Sequence, residues 1–155
     1  MRERSSSNDG VTDWGDFPET VLHFDSTPAL VVDLRRHLGP TVLTEIRGTG
    51  FERSFGIVTA QDPMGVTQSK DVNAVLATRL RAEIAELHVP YMRVDACSPD
   101  RSHCEQSVAV ELGLKQLIGL ACRYDQLAIF WFDGAAFWIV PARSANARTR
   151  LPVSR

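Results

Sequence analysis

Between Leu127 and Val140 every residue is apolar except Asp133 and Gly134. An apolar stretch that long has few homes in water. A membrane span needs about 20 uninterrupted apolar residues, and this one is broken at its middle. Asp-Gly between two apolar runs is the pattern of a two-residue hairpin turn, whose central positions both take φ > 0. Leu127–Phe132 and Ala135–Val140 therefore read as paired antiparallel strands, and a hairpin apolar on both faces must be covered on both sides. Trp131 and Phe132 point to opposite faces.

The rest of the chain must supply those covers. Val72, Leu76, Leu80, Ile84 and Leu87 recur at spacings of four, four, four and three, which predicts a helix over about 69–87 with one apolar stripe. Arg79, Arg81, Glu83 and Glu86 fall off that stripe and read as its solvated side. Ser69 is placed as its N-cap, and Asp71 suits the positive end of the helix dipole. A second helix follows from Leu114, Leu117, Ile118 and Ala121. Thr20–Phe24, Ala29–Leu34, Phe55–Ala60, Tyr91–Ala96 and Glu105–Leu112 read as further strands, whereas Leu38–Gly50 carries conflicting signals. The expected fold is α+β: a mostly antiparallel sheet with two main helices in one compact domain. A chain of 155 residues, 44% apolar, can bury roughly 70% of its unfolded surface in a single core. Residues 17–141 form the expected folding unit, residues 1–16 a flexible N-terminal tail, and residues 142–155 a basic flexible C-terminal tail.

Charge narrows the partners. The net charge is −2, and Arg143, Arg148, Arg150 and Arg155 place +4 on the last 13 residues, leaving −6 on residues 1–142. An acidic body lacks the basic stripe that nucleic acid requires. Trp14, Trp131 and Trp138 could stack bases, but two of them lie in the apolar hairpin, where packing is the simpler use. No membrane segment and no secretory h-region are visible, so the expected compartment is the cytoplasm. Cys97, Cys104 and Cys122 are odd in number, which there predicts reduced thiols, with Cys122 a small core residue.

Two polar stretches stand out. Gln61–Gln68 joins a strand to a helix, where free N–H groups and the helix dipole suit a polar or anionic ligand. Thr59, Gln61, Asp62, Ser69 and Asn73 could line such a site, although the same residue types also serve as turn and cap partners. The second stretch is Asp95–Ser107. If residues 103–107 are extended, His103, Glu105 and Ser107 share a face while Cys104 points away. Glu105 could then orient His103 as a base. Cys97, His103, Cys104 and Glu105 carry metal-capable atoms, but the two cysteines are seven apart with no second pair. His88 would have to be a distant fourth ligand, so neither a metal nor a cofactor is expected. Gln126, at the start of the hairpin, could reach a ligand or satisfy the carbonyls that end the preceding helix.

Three segments taken together, Thr59-Ala60-Gln61-Asp62-Pro63-Met64-Gly65, Asn73, and Gln126-Leu127-Ala128-Ile129-Phe130-Trp131, with Glu105 between them, resemble the bacterial family known as domain of unknown function 3293. The resemblance extends from about Pro28 to Val140. That family has Asn where this chain has Asp62. It implies a compact single-domain bacterial protein and no particular reaction or cofactor.

The leading expectation is binding of a small polar or anionic ligand, with hydrolytic or acid–base processing by Glu105, Asp62 and His103, and with Thr59, Gln61, Ser69, Asn73 and Gln126 contributing to the ligand site. The alternative is a non-catalytic interaction module whose aromatic hairpin meets a protein partner or a second copy of the chain.

Overall fold

The computed structural model describes residues 15–144 and 147–154. Among the described residues, eight strands form one antiparallel sheet: β1 (Val21–Phe24), β2 (Leu30–Asp33), β3 (Phe55–Thr59), β4 (Tyr91–Cys97), β5 (Cys104–Val110), β6 (Ala128–Phe132), β7 (Phe137–Pro141) and β8 (Thr149–Arg150). Their spatial order is β2-β1-β4-β5-β3-β6-β7-β8. Three α-helices accompany them: α1 (Pro40–Arg47), α2 (Lys70–Ala85) and α3 (Leu114–Arg123). The α+β class and the antiparallel sheet are as the sequence indicated. None of these helices is long and apolar enough to cross a membrane.

Strand alternation divides the core between two faces. On one, Leu80 and Ile84 of α2 and Leu117, Leu120 and Ala121 of α3 pack against Val58, Val108, Val110, Ile129 and Trp131. The other face curls round a second core, so that Leu22 and Val32 near one edge share a cluster with Phe132, Phe137 and Ile139 near the other. Phe55 lies at the centre of that cluster, its ring 4.5 Å from Phe51 and 5.3 Å from Phe132. Trp131 thus faces the helices and Phe132 the curled interior, which covers the hairpin on both sides.

One backbone position fixes the depth of the helical layer. A Cβ on Gly56 would lie 1.7 Å from Leu117 Cδ2 and 3.3 Å from Trp131. Only the absent side chain of glycine lets α3 approach β3 so closely.

The structure departs from the sequence reading in five places. Leu38–Gly50 contains α1, which starts at Pro40 as N1 after Gly39, where a missing N–H costs nothing. The Asp133-Gly134 hairpin turns through four residues, since Phe132 pairs with Phe137. Only Gly134 there has positive φ (105°), because Asp133 Oδ1 accepts from the N–H groups of Ala135 and Ala136 and shapes a wider Asx-type loop. Of the stripe on α2 only Leu80 and Ile84 are buried, with Ala77 beside them, while Val72 and Leu87 are 44% and 43% exposed. Packing therefore ends short of both ends of the stripe. The C-terminal stretch is partly folded: β8 pairs with β7 and Leu151 enters the core. The expected tail 1–16 falls mostly outside the described residues, as does Trp14.

Finally, Cys97 and Cys104 are not free thiols. They face each other as a register pair of the β4–β5 hairpin and are joined by a disulfide. Pairing seven residues apart follows from the hairpin's geometry, which brings the strand ends together whatever the parity of the cysteine count. Cys122 remains free and half-buried, its Sγ 3.1 Å from the Ala142 carbonyl oxygen.

Candidate functional site

The curled face does not fill itself. Where its apolar core ends, a cavity of about 710 Å³ opens, floored by Ile57, Ala128 and Phe130. Phe17 and Thr20, in and after a 3₁₀ turn, form one wall, and the tip of the β4–β5 hairpin forms the lip. A volume of this size accommodates a small organic molecule. On the helical face the same strands are sealed by α2 and α3, so the opening belongs to one side of the sheet.

The lip is organised from within. Arg101 N–H donates to the Ser98 carbonyl, closing the turn at Ser98-Pro99-Asp100-Arg101. Asp100 accepts from the hydroxyls of Ser98 and Ser102 and from the Ser102 N–H. These donors hold its carboxyl down at about 2. The disulfide then pins the hairpin at the point where His103 and Glu105 emerge.

His103 and Glu105 line the cavity together with Thr59, Ser107 and Gln126. His103 Nε2 lies 3.7 Å from Glu105 Oε2. Asp62 approaches from the loop after β3, and one ligating atom from each of Asp62, His103 and Glu105 falls within 4.8 Å of the others. The three residues expected to carry the chemistry thus meet, although about forty positions separate the first from the other two. Burial raises the pKa of Glu105 above the ordinary carboxylate value; His103 pulls it down, and the charge of Asp62 pushes it up.

Asp62 is held firmly. Its φ is +48°, a left-handed conformation that Asp tolerates better than most residues. Its N–H donates to Asn73 Oδ1, and its own Oδ1 accepts from Asn73 Nδ2 and from the Gln68 N–H, each at 2.9 Å. This clasp ties the loop to the first turns of α2. Ser69 caps that helix by accepting from the Val72 N–H. The donors expected to greet an anion at this helix start are therefore already partly engaged by the protein's own oxygens.

Thr59 and Gln61 act mainly on the sheet edge. Thr59 Oγ1 donates to the Gln106 carbonyl and accepts from the Gln61 N–H, while Gln61 Oε1 accepts from the Gln106 N–H. They continue the grip on β5 beyond the end of β3 and so fix where Glu105 sits. Gln126, 7% exposed, donates to the carbonyls of Gln61 and Tyr124, which ties the loop beside Asp62 to the end of α3. Thr59 and Gln126 border the cavity, whereas Gln61, Asp62, Ser69 and Asn73 do not.

Sequence reasoning missed Phe17, Thr20 and the Asp100 network as parts of the site. The available signal was Ser98, Asp100 and Ser102 at every second position, a spacing suited to a carboxylate gathering hydroxyls within a tight turn.

Charge on the lining is one-sided. Asp16, Glu19, Asp100 and Glu105 contribute to it, and among the described residues no lysine or arginine does. The aromatic hairpin, by contrast, is closed: Phe130, Trp131, Phe132 and Phe137 are all under 9% exposed. Trp138, which remains half-buried, donates its Nε1–H to Asp133 and lies 6.0 Å beneath Arg148.

Neither the curated proteins nor the solved structures give a match to this chain. The family model described as Protein of unknown function (DUF3293) matches residues 58–129, a shorter span than the Pro28–Val140 read from the sequence. It takes in the Asp62 loop, α2, the disulfide hairpin, α3 and Gln126. Over that central segment the chain is similar to the DUF3293 family.

Proposed function

We propose that the cavity binds a small polar molecule with an apolar body, and that Asp62, His103 and Glu105 form its reactive end. One observation carries this reading: His103 and Glu105 line a 710 Å³ opening with an apolar floor, and Asp62 brings a carboxylate oxygen within 4.8 Å of both. The pairing of an apolar floor with a few convergent polar groups is what small-molecule sites share. With two carboxylates and an imidazole in reach, the chemistry supported is hydrolysis or proton transfer.

The acidic lining narrows the ligand. Uncharged and cationic polar molecules suit it, whereas a bare anion would face like charges with no arginine to offset them. The alternative of an aromatic docking surface is less well supported, because the rings it needs are already buried within the chain.

The test is a thermal-shift screen of the full chain against uncharged, cationic and anionic small molecules, since a ligand that binds the native state raises apparent stability. A hit is then titrated against Ala96→Leu, which places extra bulk on a cavity wall. Saturable binding lost in that variant supports the reading. Equal binding by the variant would locate the ligand elsewhere and overturn it.

A further inference from the structure

The geometry points to a divalent transition-metal site formed by Asp62, His103 and Glu105, a deepening that rests on the cavity reading above. An ion about 2.1 Å from each of two ligand atoms leaves those atoms roughly 3.4 Å apart in a tetrahedral site. The His103–Glu105 separation of 3.7 Å is already close to that edge. All three ligating atoms fall within 4.8 Å of one another, so a small side-chain rotation closes the set. His103 is 65% exposed on its side chain and has room to rotate.

The surroundings agree with this assignment. No lysine or arginine among the described residues forms an ion pair with either carboxylate. Asp62 is oriented from behind by Asn73 and the Gln68 N–H, as metal-binding carboxylates commonly are. Three protein ligands, two of them lining the cavity, leave coordination positions for water or a substrate oxygen, the arrangement of open rather than closed metal sites. The imidazole favours Zn²⁺, Mn²⁺ or Fe²⁺ over Mg²⁺ and Ca²⁺. Such an ion would also give the cavity the positive charge that its lining lacks.

The experiment is isothermal titration of the full chain, stripped of metal and with its disulfide intact, with Zn²⁺, Mn²⁺ and Mg²⁺. One saturable site is expected for Zn²⁺ and Mn²⁺, with Mg²⁺ weaker. Asp62→Asn keeps an oxygen to accept from Gln68 and Asn73, so it should melt like the parent while losing about 10-fold or more in metal affinity. His103→Ala should lose at least as much. His37→Ala and Cys122→Ser should bind like the parent. No saturable Zn²⁺ or Mn²⁺ site, or affinity unchanged in both Asp62→Asn and His103→Ala, overturns the metal assignment. Failure of the metal alone leaves the ligand screen, run on stripped protein, positive; failure of the cavity reading shows instead as an Ala96→Leu variant that still binds the ligand.

Discussion

The two faces of the sheet use the same strands for opposite ends. Under α2 and α3 the fit is so close that Gly56 has no room for a methyl group, and Leu117 and Ile84 are fully buried. On the curled side the core stops short, and the space is given to Glu105, a partly buried carboxyl with a raised pKa. The helical face is organised for stability. The curled face keeps a group that costs stability, as functional sites commonly do. Substitutions on the two faces should therefore have opposite signs.

The largest effect is expected on the closed face. Leu117→Ala should destabilise by about 2–5 kcal/mol through the cavity it leaves, and Gly56→Ala by about 1–3 kcal/mol through overpacking. Combined, they should cost less than the sum, because removing Leu117 Cδ2 makes room for the new methyl. Denaturant melts of the four proteins in this cycle would check it, and strict additivity would contradict the close approach of α3 to β3.

Next comes the disulfide at the cavity lip. Replacing Cys97 and Cys104 with serine should cost about 2 kcal/mol, given the short loop that the bridge closes. The change should concentrate at the lip, so amide exchange at residues 98–105 is expected to accelerate while that of Gly56–Val58 stays slow. Equal acceleration on both faces would show that the lip is not a separate unit.

Glu105→Gln should go the other way. Because the folded-state pKa of Glu105 is raised, the native protein holds its proton more tightly than the unfolded chain. Its stability therefore falls as pH rises from about 4.5, the ordinary glutamate value, through the raised one. In metal-free buffer the variant should melt higher than the parent at pH 7, and the difference should vanish near pH 4. A lower melting temperature at pH 7 would remove the contrast between the faces.

The smallest effect belongs to Asp100. An NMR titration of its carboxyl should give a midpoint of about 2. Hydrogen bonds to its charged form are present above about 4 and are lost as pH falls through that midpoint, so the lip should loosen only in strong acid.

Much of the fold could be read from spacing alone. The periods of α2, α3 and β6–β7 follow from local alternation, and Ser69 was placed as a cap because capping is a local act. The bounds of α2 hold, but its buried stretch is shorter than the apolar stripe, since exposure depends on where the neighbouring sheet ends. The disulfide escaped because cysteine parity carries less weight than the register of two strands. The role of Gln61 escaped for a similar reason: its partner, the backbone of Gln106, is brought near only by the β3–β5 pairing.

What the sequence determined by itself is which segments become strands and helices, α1 and β8 excepted, and which side chains have titratable or ligating atoms, since both depend on residues within a turn or two. Only the tertiary structure decided that Asp62 meets His103 and Glu105, that the sheet curls to leave a cavity, and which elements cover the aromatic hairpin. Those outcomes depend on strand order and on how far each layer extends, and neither is encoded in any local spacing.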